Sequence, residues 1–304
     1  MKTYKYYFAA FTAFLIWGFF SLALKPLQDF PSLDILFYRV FMSSIAMVLI
    51  NAIFRRQEVK KNLMLFSNLK SEDKRRIVFL TLGGSFLLIA NWFVFIYVVN
   101  HVNVKAASLA YLICPILTTV FAFVILKEKL SKPQWIAVSI SIFSCILLSL
   151  NHFQDIFFSL IVAASYALYL VSQRKNSEID KFITLTIQLV FTALVILPFY
   201  PNYSSVVPVA PFFYICLVVI VVIFTIIPLF LNLYALKEIN SSTVGIMMYI
   251  NPIINFLIAI FYYKEEVTLI QLVSYFLILI SILIFNEKLL FNRKILVSST
   301  ENNN

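Results

Sequence analysis

Pro115 and Pro252 stand near the middle of two long apolar runs, one in each half of the chain. A proline inside a helix withholds a backbone N–H and pushes away the carbonyl four residues earlier, here that of Tyr111 and of Met248. In hydrocarbon such a carbonyl must be met by another helix, a water or a solute. Matched helix interruptions at the midplane are the best sequence pointer to a solute-binding site. Either proline alone reads equally well as a packing kink; the pair favours a site. Ser108 and Tyr111 precede the first proline, Tyr249 and Asn251 accompany the second, and Trp17, Asn91 and Trp92 lie in the middle of other apolar runs. Amides and hydroxyls so placed either bind a neighbouring helix, worth about 0.6–2 kcal/mol, or face a cavity. Both uses are open for each of them. The mid-run tryptophans fit an aromatic-lined cavity or a packed core better than an interfacial belt.

Arg39 lies about one turn inside an apolar run, where a charge costs roughly 2.5–3.5 kcal/mol even on lenient insertion scales. It either snorkels to the surface, pairs with Asp34 or Asp29, or meets anionic groups at an entrance. The expected set for a small-molecule substrate is therefore Trp17, Arg39, Asn91, Trp92, Ser108, Tyr111, Pro115, Tyr249, Asn251 and Pro252. Other chemistry has no foothold in the sequence. All 14 acidic residues fall in loops or near the ends of apolar runs, so no carboxylate stands at the midplane as a proton carrier. There is no GxxxxGK phosphate loop, HExxH, GxSxG or paired CxxC, and no cofactor or metal is called for. Cys114, Cys145 and Cys216 sit inside apolar runs without ligand spacing and read as free thiols.

The elements that must hold these residues are membrane-spanning helices. The chain of 304 residues is 62% hydrophobic and only 12% charged, against about a quarter charged for soluble domains. Runs near the roughly 20 apolar residues that a bilayer core requires recur along it. They predict ten spans: Tyr6–Leu24, Ile35–Phe54, Ile77–Val98, Ala106–Leu126, Pro133–Leu150, Ile156–Ser172, Phe182–Tyr200, Pro211–Ala235, Ser242–Tyr263 and Leu269–Phe285. The net charge of +10 is clustered in loops and forms no basic face with interleaved aromatics, so nucleic acid is not expected. Of 24 basic residues, all but Lys25, Arg39, Lys105 and Lys264 fall on one side of this topology. Positive loops stay in the cytoplasm, which places both termini there and the protein in the bacterial inner membrane. The longest connection, Arg55 to Arg76, reads as a solvated loop near anionic lipid headgroups. Without a GxxxG seam, a monomer is expected.

The stretches around the two prolines also match each other. Aligning Pro115 with Pro252 pairs Tyr97 with Tyr234, Asn103 with Asn240, Lys127-Glu128 with Lys264-Glu265, and Gln134 with Gln271, all at one constant offset. Residues 1–151 and 152–286 then form two five-helix repeats, with 287–304 as a cytoplasmic tail. Because five is odd, the second repeat is inverted, an arrangement that alternating access uses and that some channels share.

Together these residues resemble a known family, the EamA-type branch of the drug/metabolite transporter superfamily and, within it, the RarD-like permeases. The resemblance covers nearly the whole chain. It rests on Ile16-Trp17-Gly18, Asp34 with Arg39, Asn91-Trp92 with Asn100, and Ala107-Ser108-Leu109-Ala110-Tyr111 before Pro115. In the second half it rests on Thr225-Ile226-Ile227-Pro228-Leu229 and Tyr249-Ile250-Asn251-Pro252. The resemblance implies ten helices in inverted repeats around a central cavity, and export of metabolites or drugs. From the residues alone, two other classes stay open: a membrane-embedded enzyme, and a non-transporting sensor or assembly protein.

Overall fold

A chain in lipid must close its backbone hydrogen bonds within itself, and a helix does so locally. The computed structural model describes residues 4–101, 104–149, 156–204, 207–262, 264 and 266–287, and among them there is no β-strand. The longer helices are α1 (Tyr4–Gly18), α2 (Ser32–Phe54), α3 (Arg56–Asn68), α4 (Ser71–His101), α5 (Val104–Leu126), α6 (Lys132–Ser149) and α7 (Ile156–Lys175). They continue with α8 (Lys181–Ile196), α9 (Pro211–Val221), α10 (Ile227–Ala235), α11 (Ser241–Met247), α12 (Ile250–Phe261) and α13 (Leu269–Phe285). Seven helical segments among the described residues are long and apolar enough to cross a membrane. An eighth forms if α1 and Phe20–Leu27, bent by 42°, count as one, and Ala110–Leu126 and Leu269–Phe285 are shorter apolar helices. The chain is a multi-pass, all-helical membrane protein.

Its surface and interior are arranged for lipid as solvent. Phe8, Phe79, Phe86, Phe143, Ile215 and Phe276 are exposed, whereas Ser43, Thr118, Ser141, Gln173, Gln188 and Asn232 are buried. Small residues let the helices approach closely. Ala9, Ala10 and Ala13 are buried on α1, and a Cβ at Gly18 would lie 2.7 Å from Ile254. The principal packing pairs are α5 with α7 and α11, α6 with α13, α4 with α7 and α8, α1 with α10 and α12, and α2 with α8 and α9.

Two helix ends are built alike. Lys127 and Lys264 are the non-glycine residues with positive φ among those described, at 56° and 57°; each reverses the chain after a long helix, at a cost of roughly 1–2 kcal/mol for a side chain with a Cβ. The next helices start on matching caps: the Ser131 N–H donates to Gln134 Oε1 at 2.9 Å, and the Thr268 N–H donates to Gln271 Oε1 at 3.0 Å. Glu128, just past α5, accepts from the Ser241 and Ser242 N–H groups at 2.8 and 3.1 Å and from the Ser242 hydroxyl. A carboxylate there both satisfies orphan donors of α11 and complements its dipole. Glu265, its counterpart, lies outside the described residues, as do the tail 288–304 and the side chains of His101 and Ser108.

The stretch from Arg55 to Arg76 corrects the sequence reading. It is a solvated helix and not a loop: Arg56–Asn68 is helical with no buried residue, and α4 begins at Ser71. The charges concealed a helical stripe, Val59, Leu63 and Phe66, at the spacing of one face. The stretch also docks on the α7–α8 connection. Arg55 Nη1 donates to Asp180 Oδ1 at 2.9 Å, Asn62 Oδ1 accepts from the Asp180 N–H at 3.0 Å, and Arg76 pairs with Glu178.

Asp180 is at the same time the N-cap of α8, accepting from the Phe182 and Ile183 N–H groups. Burial pushes its carboxyl up, but the Arg55 bond and charge together with the two backbone donors outweigh burial and hold it below its ordinary 3.8. A depressed carboxyl stabilises the fold above the unfolded-state pKa and loses that contribution as pH falls through the lower folded value. In melting curves from pH 6 to pH 3, the unmodified protein is expected to exceed Asp180→Asn clearly at the upper end and to converge on it at the lower end. A constant gap would show that the charge of Asp180 carries none of this stability.

Candidate functional site

Pro228 interrupts its span in the way that the other two prolines were expected to interrupt theirs. It has no N–H to offer the carbonyl of Phe224, four residues earlier. The chain responds with a π-helical turn over Val222–Ile226 between α9 and α10. The freed Phe224 carbonyl accepts from Trp17 Nε1 at 3.0 Å. One residue on, Thr225 Oγ1 donates to Ile220 O, five residues back, at 3.0 Å and accepts from Arg39 Nε at 2.7 Å. A single irregular turn therefore positions both the indole of α1 and the guanidinium of α2. π-Turns inside α-helices occur frequently at functional sites.

Aromatic rings complete the cluster. Arg39 Cζ lies 5.2 Å from the ring centroid of Phe20, just past the bend in α1, and 5.2 Å from that of Trp92 on α4. Tyr111 of α5 lies within electrostatic range of Arg39 and packs edge-on against Phe95 at 5.5 Å. Tyr166 of α7 meets Trp17 edge-on at 6.3 Å, and its hydroxyl accepts from Asn232 Nδ2 at 3.0 Å. Trp17, Phe20, Arg39, Trp92, Tyr111, Tyr166 and Phe224 are all only partly exposed. They come from α1, the short helix Phe20–Leu24 beyond its bend, α2, α4, α5, α7 and the π-turn. Residues that converge from so many helices and still keep some accessible surface make this cluster the candidate site.

Arg39 has no carboxylate partner in this cluster. The ion pairs among the described residues are Arg55–Asp180, Arg76–Asp73 and Arg76–Glu178. Asp34, which the sequence offered as a partner, is fully buried and accepts from Ser204 Oγ at 2.6 Å. Arg39 does not snorkel outward either, since its Nε is tied inward to the buried Thr225.

Of the expected residues, Trp17, Arg39, Trp92 and Tyr111 are thus brought together. Asn91 faces elsewhere, its Nδ2 donating to Val162 O at 2.9 Å and Ser165 Oγ at 3.3 Å on α7. The helical backbone of α5 carries Ser108, whose side chain is outside the described set. Pro115 is buried within an unbroken α5, and its carbonyl accepts from Thr119 Oγ1 at 2.9 Å. Pro252 does interrupt its span: α11 ends at Met247, α12 starts at Ile250, and the Met248 carbonyl accepts from the Asn251 N–H at 3.1 Å. Asn251 Oδ1 accepts from Asn255 Nδ2 at 2.6 Å, and Asn255 Oδ1 accepts from Ser21 Oγ at 2.9 Å, so this break reaches the residue next to Phe20. Tyr249 is fully buried in a separate core with Leu112, Cys145 and Ile278. Phe20, Tyr166, Phe224 and Thr225 were missed. A signal was present, because Pro228 interrupts an apolar run as Pro115 and Pro252 do.

Two other features are distinct from this cluster. A cavity of about 310 Å³ between α2 and α8 is lined by Phe41, Ile45, Val48, Leu49, Leu194 and Leu197; all of these but Phe41 are exposed. Lys181 is buried, and its ammonium donates to the Gln173 carbonyl at 3.1 Å and to that of Asn176. It thereby caps the end of α7, where a cation complements the helix dipole.

The EamA-like transporter family model matches the chain over residues 4–150 and 154–287. An uncharacterized transporter, YojE of Bacillus subtilis (strain 168), is 31% identical over 255 residues, spanning 83% of this chain and 84% of that protein. Protein RarD of Escherichia coli (strain K12) is 27% identical over 280 residues, spanning 91% of this chain and 92% of its own length. A solved crystal structure superposes with a TM-score of 0.72 over 96% of this chain and 99% of its own, at 14% identity, a likeness of fold.

Proposed function

The chain belongs to the EamA-like transporter family, and on that footing we propose that it exports small organic molecules by alternating access through the cleft around Arg39. The observation that carries this reading is the partly exposed aromatic cluster, drawn from seven segments of the bundle and held by the Trp17–Phe224 bond. A cleft lined by rings with a few fixed polar groups is the usual form of a small-molecule site.

Ten spans in two inverted repeats, residues 1–151 and 152–286, account for the packing. The seven spans, the bent α1 pair and the two shorter apolar helices together make that number. When the two halves are exchanged, α5 on α7 becomes α12 on α1, α4 on α7 becomes α10 on α1, and α4 on α8 becomes α9 on α2. The pairs α6–α13, α2–α8 and α5–α11 map onto themselves. That exchange is what a two-fold axis in the membrane plane produces. The matched Lys127 and Lys264 turns and the matched caps support the same reading.

Both termini are assigned to the cytoplasm. Basic segments far apart in sequence are joined to one another, Arg55 to Asp180, Arg76 to Glu178, and Arg174 to the Leu236 and Lys237 carbonyls at 2.7 Å. Such contacts gather most positive loops at one end, as cytoplasmic loops are. The Glu128 clamp on α11 lies among these segments and ties the inner ends of α5 and α11 together, a contact that alternating access must break.

Flux in liposomes tests the function. Vesicles containing the purified protein are loaded with a labelled metabolite mixture, and release is followed with and without a proton gradient against empty vesicles. Saturable release of particular compounds is expected. Release equal to that of empty vesicles under every gradient would overturn the proposal.

A further inference from the structure

The class of solute is written in the donors that Arg39 does not use. A guanidinium presents five N–H donors in one plane. Its Nε is taken by Thr225 Oγ1 at 2.7 Å, and the rings of Phe20 and Trp92 each lie 5.2 Å from Cζ. No hydrogen bond or ion pair among the described residues uses Nη1 or Nη2. A charge inside a span is expensive and is normally paired or placed in a water-filled cavity. Here the cation is held rigidly inward, beside aromatic rings, with a pair of parallel donors left open. Such a planar fork matches a carboxylate in two hydrogen bonds.

The balance of charge narrows the choice. One cation without a carboxylate partner repels a cationic solute, stays uncompensated beside a neutral one, and leaves a dianion with excess charge. The surrounding groups, Trp17, Trp92, Tyr111 and Phe20, are apolar bodies that suit an apolar solute. Resting on the transport reading of the same cleft, we propose that Nη1 and Nη2 of Arg39 receive the carboxylate of a monoanionic organic acid, whose apolar body lies among Trp17, Trp92 and Tyr111.

Tryptophan fluorescence tests this directly, because the chain has 3 tryptophans and Trp135, on α6 against Phe123, is removed by Trp135→Phe. The remaining signal reports Trp17 and Trp92. Cyclohexanecarboxylate and phenylacetate are titrated against their amides, against cyclohexylamine and against cyclohexyl phosphate. Saturable change with the acids is expected, and binding of the amides at least about tenfold weaker, the usual scale for losing a hydrogen-bonded charge. Arg39→Gln is expected to erase the preference for acid over amide, and Arg39→Lys to keep part of it. Equal binding of acid and amide, tighter binding of the amine or phosphate, or no saturable binding by either acid would each overturn the proposal. The acid–amide comparison on unmodified Arg39 stands even if Arg39→Gln fails to fold.

Labelled phenylacetate and its amide are then followed in liposomes at alkaline pH. Acid-selective binding without flux above that of empty vesicles would uphold the carboxylate site and count against transport. Carrier-dependent flux at equal rates for acid and amide would uphold transport and overturn the carboxylate site.

Discussion

Replacing Trp17 by phenylalanine is expected to destabilise the protein by roughly 1–3 kcal/mol, the scale for leaving an interior carbonyl without a donor, and to lower solute flux at least about tenfold. The reason lies in Pro228. Because proline cannot serve the Phe224 carbonyl, the indole N–H at 3.0 Å is its donor, and phenylalanine keeps the ring but not the N–H. The next residue, Thr225, holds Arg39, so a relaxed π-turn shifts the guanidinium as well. Pro228→Ala supplies the missing backbone donor. The double variant Trp17→Phe/Pro228→Ala is therefore expected to regain stability without regaining flux, because a straightened helix carries Thr225 away from Arg39. Melting midpoints and liposome flux on the same preparations separate the two effects. Trp17→Phe with unchanged melting and unchanged flux would show that the indole bond does neither job.

Gly245→Leu should be the more damaging change to folding. A Cβ at Gly245 would lie 2.8 Å from both Thr118 Cβ and Cγ2 and 3.5 Å from the Pro115 carbonyl. Thr118 is fully buried, and its hydroxyl donates to the Cys114 carbonyl at 2.8 Å, so it has no free rotamer into which to retreat. Overpacking of this kind costs about 1–3 kcal/mol, and more where neighbours cannot move. The crossing of α5 and α11 would be forced apart beside Pro115. Size-exclusion profiles after graded heating are expected to show a melting midpoint lowered by several degrees or more, with Gly245→Ala in between. Gly83→Leu is the control, because a Cβ there meets nothing within 4 Å. Equal melting of the Gly83 and Gly245 variants would remove the close crossing as a determinant of stability.

Much of the architecture was legible because lipid makes the code simple. An apolar run long enough to span must be helical, and a proline or a charge inside it stands out against a uniform background. That is why Trp17, Arg39, Trp92 and Tyr111 could be singled out and are found together. The same logic failed where one residue type serves two ends. Asn91 and Trp92 are neighbours in sequence but face different partners, and only the rotation of α4 decides that the amide binds α7 while the indole meets Arg39. The helix Arg56–Asn68 was hidden because Arg56, Glu58, Lys60 and Lys61 crowd its first half, while its apolar residues, Val59 and Leu63 to Phe66, make a run far too short to span.

By itself, the sequence determined that this protein lives in a membrane, that its backbone is helical, and that the stretches around Pro115 and Pro252 are alike. These follow from hydropathy, from the need to pair every peptide group, and from repetition, all of which are properties of one chain read in order. Only the tertiary structure decided which proline organises the cluster around Arg39 and what Arg39 touches. Pro115 leaves its helix whole, Pro252 breaks its span, and Pro228 produces the π-turn that binds Trp17 and Arg39. A proline states which carbonyl loses its donor; which helix answers that carbonyl depends on distances between segments remote in sequence, and Trp17 and Phe224 are 207 residues apart.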